Sequence, residues 1–160
     1  MTAARRGWTD GFNVAAWIRE YALATVQGRS PTECEALRES ATSAVANLAH
    51  APKAVRSILE QRLAAVAAGT VNPDVAANEA ALRLLCIRAE LISGAPAPPQ
   101  DLELRREYQM RRLVESMGQG ERVTPAALDD LALEWIAVGP VEPAVHDALL
   151  ARFERCRTAR

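Results

Sequence analysis

Three cysteines and two histidines are the side chains of this sequence best suited to metal binding or nucleophilic chemistry. A zinc site needs about four ligands, usually supplied as closely spaced pairs. Cys34, Cys86 and Cys156 stand far apart, no Cys-x-x-Cys occurs, and only His50 and His146 can join them. Covalent catalysis needs a nucleophile held beside a base, and His146 has no Ser or Cys at a local motif spacing. His50 falls at a helix end, where a positive charge suits the dipole. Asp129 and Asp130 are adjacent, so on a helix they point about 100° apart and do not converge on a metal. Gly118-Gln-Gly120 lacks the strand, the further glycine and the lysine of a phosphate loop. These patterns assign no catalytic, cofactor-binding or metal-binding residue, and the expectation is a protein that is not an enzyme. An odd number of scattered cysteines fits free thiols in a reducing cytoplasm. Cys86 and Cys156, set among apolar residues, read as small core hydrophobes.

The elements that would position these residues are helices. The hydrophobic fraction is 49%, with 32 alanines and only 4% aromatics, a balance that favours close-packed helices over sheet. At 160 residues the chain has the length of one domain with a core of its own. The formal charge of −1 excludes a globally basic nucleic-acid binder and a disordered acidic tail. Residues 1–7 carry charge with no apolar run after them, and residues 8–26 are interrupted by Asp10, Asn13, Arg19 and Glu20. Neither a signal peptide nor a membrane span is expected there.

Helix starts are written as Ser30-Pro31 with Glu33, Asn72-Pro73-Asp74, Thr124-Pro125 and, more weakly, Glu142-Pro143. Gly28, Gly69, Gly94, Gly118 or Gly120, and Gly139 read as stops. The punctuation predicts helices over residues 9–27, 31–49, 52–68, 73–92, 100–118, 125–138 and 143–157. The fold expected is all-α, with antiparallel helical hairpins packed around a central apolar helix. Residues 1–8 would form a flexible N-terminus and residues 9–160 a single helical domain. Residues 93–100 form a stiff, proline-rich connection.

A repeat is visible at an offset of 90 residues, between about 31–68 and 125–157. Ala54, Val55, Leu59 and Arg62 match Ala144, Val145, Leu149 and Arg152, and Val45 falls opposite Trp135. Arg62 and Arg152 lie on the apolar stripe of their helices. Each either bonds a carboxylate or the carbonyls of a neighbouring helix end, snorkels to water, or forms an anion site. The fourth helix is apolar around most of its circumference and should be central. Its polar stripe holds Glu79, Arg83 and Glu90, with Glu79 and Arg83 at ion-pair spacing. Arg88 projects between Leu84 and Leu91, so a carboxylate from another helix is expected. On the fifth helix, Leu102, Met110, Leu113, Val114 and Met117 share a face with Glu103 and Arg106. The opposite face holds Leu104, Arg105, Tyr108, Arg111, Arg112 and Glu115. Arg and Tyr are common interface anchors, so this face reads as a solvated surface, a protein-binding surface or a phosphate-binding one.

Two segments carry a family likeness. Leu85-Cys-Ile-Arg-Ala-Glu-Leu-Ile-Ser-Gly94 leads into Pro98-Pro99-Gln-Asp-Leu-Glu-Leu-Arg-Arg-Glu-Tyr-Gln-Met-Arg-Arg-Leu113. Leu133-Glu-Trp-Ile-Ala-Val-Gly-Pro140 is followed by Leu149-Leu-Ala-Arg-Phe-Glu-Arg-Cys156. Over about residues 78–156 this resembles the C-terminal helical region of bacterial proteins grouped as domain of unknown function 349. The Trp…Gly-Pro…Arg-Phe pattern is similar to that family's repeated hairpin, with Val45 and Leu63 replacing the Trp and the Phe in the earlier repeat. The resemblance implies a cytoplasmic helical protein with no assigned reaction.

The function expected is a protein-interaction or scaffolding module that binds another protein or its own kind, through Leu104, Arg105, Tyr108, Arg111 and Arg112. Arg62, Arg83, Arg88, Glu90, Arg106 and Arg152 are expected as structural ion-pair residues. The alternative is a nucleic-acid-associated protein using Arg105, Arg111, Arg112 and the Arg5-Arg6 tail, which the net charge disfavours. Neither cofactor nor membrane is expected.

Overall fold

The computed structural model describes residues 2–115 and 125–158. Among these the chain forms seven α-helices and no strand. They are α1 (Ala3–Val26), α2 (Pro31–Ala46), α3 (Lys53–Ala68), α4 (Val75–Ser93), α5 (Leu102–Glu115), α6 (Pro125–Ala137) and α7 (Pro143–Thr158). A 3-10 turn, Pro99–Asp101, leads directly into α5.

Local chemistry accounts for most boundaries. The Ser30 hydroxyl accepts from the Glu33 amide at 3.2 Å, and Pro31 occupies the first turn of α2. Gly69 and Gly94 close α3 and α4 with φ of 73° and 78°, the left-handed region that suits glycine. The cap of α4 is Asp74, which accepts from the Ala77 amide, rather than Asn72. Asn72 instead accepts from the Asp74 amide, turning the chain ahead of the helix. The Thr124 cap, Met117 and the stop at Gly118 or Gly120 lie outside the described residues.

Residues 3–8, expected as a flexible lead, are instead the first turns of α1. Thr2 caps them by accepting from the Arg5 amide. Gly7 lets α1 rest against the backbone of His50 and Ala51, where a Cβ would collide with the His50 carbonyl.

α1 packs on α2, α3 and α6, and α4 packs on α6 and α7. α6 also meets α3, so it joins the two halves of the core. α4 is buried along Leu82, Leu85, Cys86, Ile87 and Ala89. At the centre, Trp135 of α6 stacks on Phe153 of α7 with ring centroids 4.7 Å apart, and Phe12 of α1 meets Phe153 edge-on. Asn78 donates to the carbonyls of Asn72 and Pro140, fastening the start of α4 to the turn between α6 and α7.

The connections after α2 and after α6 share a backbone pattern at the 90-residue offset. The Leu48 amide bonds the Val45 carbonyl, and 90 residues on the Val138 amide bonds the Trp135 carbonyl. The next helices start in the same register, with Arg56 bonded to Pro52 and His146 to Glu142.

Candidate functional site

α5 stands apart from the rest of the molecule. It has no buried residue, and its main backbone contact is the 3-10 turn before it. Leu102, Met110, Leu113 and Val114 are 52%, 59%, 65% and 69% exposed. Leu104, Arg105, Tyr108 and Arg112 are only partly exposed. The two faces are therefore reversed relative to the sequence expectation. The apolar stripe points outward, and of the residues proposed to bind a partner only Arg111 is fully on the surface.

The reason lies at the base of the helix. Arg105 donates to the Ala95 carbonyl at 2.8 Å, which draws this side of α5 onto the proline-rich connection. Just before α5, the carboxylate of Asp101 is buried and held by Arg152 at 2.5 Å. Arg152 also grips Glu90 through two bonds of 2.8 and 2.6 Å. Arg83 reaches Asp101 at 3.5 Å and Glu79 at 2.9 Å. Glu79, Arg83, Asp101, Arg152 and Glu90 thus alternate in sign from the surface of α4 into the core and across to α7. Burial alone would pull the Arg152 guanidinium down, but its bonds to Glu90 and Asp101 hold it above the ordinary arginine value. These anchors fix the roll of α5 at its first turn, and that roll puts the apolar stripe outside.

A second buried polar centre uses residues that sequence reasoning did not single out. Arg19 of α1 is buried and has no ion pair among the described residues. It donates to the carbonyls of Trp135 and Val138 at the C-terminal end of α6. A guanidinium is well placed there, because the last carbonyls of a helix lack partners and carry the negative end of its dipole. Arg19 also lies 3.2 Å from His146 Nε2. A guanidinium only donates, so Nε2 accepts and the neutral ring carries its proton on Nδ1. Nδ1 faces Asp147 at 3.4 Å. Burial, followed by the charge of Arg19, lowers the His146 pKa below its usual value. Burial and the nearby Arg62 charge pull Arg19 itself down to about 9, which leaves it protonated at neutral pH.

The remaining ion-pair expectations divide. Arg88 bonds Glu134 of α6 at 2.8 Å, a carboxylate from another helix, although both side chains are partly exposed. Glu90 is buried and forms its ion pair with Arg152. Arg106 is exposed and makes no ion pair among the described residues. Arg62 makes none either. It is half-buried, beside Arg19, and its pKa is lowered by burial. It lines a small gap with Arg19, Val66, Val138 and Gly139. A carboxylate role for Arg62 is therefore wrong, and the like charge of Arg19 is the electrostatic neighbour it has instead.

The two buried thiols, Cys86 and Cys156, offer little reactive chemistry. Burial pushes Cys86 up to about 12 and raises Cys156, which keeps both protonated and weakly nucleophilic. Among the described residues, no group of three or more His, Cys, Asp and Glu side chains is placed to hold a metal ion. No described helix is long and apolar enough to cross a membrane. The arrangement therefore offers a pinned helix with an uncovered apolar face. The chain matches no family model, no curated protein and no solved structure.

Proposed function

We propose that this chain is a non-enzymatic, cytoplasmic protein-interaction module whose docking element is α5. The observation that carries the reading is the outward stripe of Leu102, Met110, Leu113 and Val114 on a helix anchored at its base. A contiguous apolar face at helical spacing is what an apolar groove or a second helix recognises. Anchoring by Arg105 and Asp101 pre-organises that face, so less ordering entropy opposes docking. Arg105 is engaged with the Ala95 carbonyl, which weakens the case for an arginine face that reads phosphates.

The test is affinity capture with the full chain as bait, comparing wild type with Met110→Glu and Leu113→Glu. Both positions are exposed, so the variants should keep their helical circular dichroism and thermal midpoint, within about 0.5 kcal/mol. A central docking residue contributes about 2 kcal/mol, so capture of a true partner should fall roughly thirtyfold. Undiminished capture by both variants would refute α5 as the docking element.

A further inference from the structure

The side of the molecule formed by α1 and α2 carries a groove of about 680 Å³. Val14, Ala44 and Leu48 give it an apolar floor, and Asp10 and Glu39 stand in its lining. Neither carboxylate forms an ion pair among the described residues, and no Lys or Arg lines the groove. Trp17 also lines it and is 51% exposed, although it is a residue type that proteins usually bury or use as an interface anchor. Asn13, Ser40, Ser43 and Asn47 complete the lining, so the groove combines a small apolar floor and one aromatic ring with uncharged polar groups and two carboxylates, the nearby Arg38 feeling the charge of Glu39 from outside it.

The outer face of α5 has the complementary character. Leu102, Met110, Leu113 and Val114 surround Arg106, whose guanidinium has no carboxylate partner among the described residues. Glu103 shares the face one turn before Arg106, at its N-terminal end. From Arg106 to Val114 the helix advances about 12 Å at 1.5 Å per residue. The lining of the groove runs from Asp10 to Trp17 on α1 and from Glu39 to Leu48, along and just past α2, spans of about 10 and 13 Å on the same scale. Two to three turns of α5 match the groove in length, and Arg106 is opposite in charge to its two carboxylates.

We infer that α5 of one copy docks in the α1/α2 groove of a second copy, with Arg106 facing Asp10 and Glu39 and the Met110, Leu113 and Val114 side chains on the apolar floor. The inference rests on the reading of α5 as a docking helix and names its partner. Donor and acceptor are different surfaces of the same chain, so the contact is heterologous. Every pairing leaves one free helix and one free groove, and copies add head to tail into a ring or an open row. An interface of two to three turns lies at the small end of specific contacts, so association is weak and depends on concentration.

The experiment is analytical ultracentrifugation of the full chain over a roughly hundredfold concentration range. Wild type should show a mean mass that rises with concentration and falls with added salt. A groove variant, Asp10→Arg with Glu39→Arg, and a helix variant, Arg106→Ala with Met110→Ala and Leu113→Ala, should each remain monomeric. Mixed in equal amounts, the two should form a dimer and stop there, because the mixture has one intact groove facing one intact helix. All substitutions are at exposed or groove-lining positions, and circular dichroism checks that each variant is folded. Wild type that stays monomeric overturns the inference. Self-association of the groove variant at wild-type strength also overturns it, because it would show helix pairing with helix. If wild type is monomeric while Leu113→Glu still abolishes capture of a foreign protein, self-docking is wrong and α5 as a docking helix stands. If Leu113→Glu changes neither measurement, both fail.

Discussion

Arg152 and Arg62 occupy equivalent places in the repeat, yet replacing each by Met should have very different consequences. Arg152 makes three bonds to two buried carboxylates. Arg152→Met would leave Glu90 buried without the partner that holds both of its oxygens, and would leave Asp101 with only the longer contact to Arg83. Removing one member of a buried ion pair costs about 3–5 kcal/mol, because the surviving charge remains desolvated. At a urea m-value of about 2 kcal/mol per molar, the unfolding midpoint should fall by about 2 M. The pair Arg152→Met with Glu90→Leu removes both charges together and should recover at least half of the loss. Arg62→Met trades one partly exposed stem for another and should stay within about 0.5 kcal/mol of wild type. Urea unfolding followed by circular dichroism measures all three. Equal midpoint shifts for Arg152→Met and Arg62→Met would refute the argument that the buried carboxylates, not the apolar setting, make Arg152 structural.

Lowering of the His146 pKa means the unfolded chain takes up a proton more readily than the folded one, so stability is complete above about pH 6.5 and is lost as pH falls below it. His146→Gln keeps an oxygen that can accept from Arg19 but does not titrate, so its urea midpoints should fall less steeply between pH 7 and pH 5; parallel slopes would refute the assignment. Arg19→Met leaves the Val138 carbonyl without its guanidinium and the Trp135 carbonyl with the Val138 amide alone, and should cost about 1–3 kcal/mol. Adding His146→Arg to Arg19→Met should restore part of that loss, and a further drop in midpoint would sink the equivalence of residues 56 and 146.

The parts of the fold legible in the sequence are those decided within a few residues. Ser30 capping Glu33, the left-handed Gly69 and Gly94, and the Glu79–Arg83 pair each depend on partners at most four positions away. The facing of α5 was not legible, although its two faces were separated correctly. An apolar stripe ordinarily turns inward, but the roll of α5 is set by Arg105 on Ala95 and by Asp101 on Arg152, neither of which leaves a periodic signal. Glu90 is legible as an ion-pair residue but its pairing is not, because Arg152 lies 62 residues away on α7. Arg19 read as an interruption of an apolar run for the same reason, since the carbonyls it serves lie 116 and 119 residues further on.

The two hairpins solve one problem in two ways, and the comparison explains why Arg19 is buried without a carboxylate. At the end of each first helix the carbonyl of Val45 or Trp135 accepts an amide from its own turn, and a guanidinium bonds it again together with the carbonyl of Leu48 or Val138. In the first, Arg56 of the following helix donates to both. The equivalent position in the second is His146, whose ring is too short to make the same fork. There the guanidinium comes from α1 instead, and His146 accepts from it rather than replacing it. The consequence reaches beyond the turn. A cap supplied within a hairpin stabilises only that hairpin, whereas a cap supplied by Arg19 ties α1 to the end of α6. Since α1 also forms one wall of the groove with α2, the exchange of an arginine for a histidine at position 146 couples the C-terminal hairpin to the helix that carries Asp10 and Trp17.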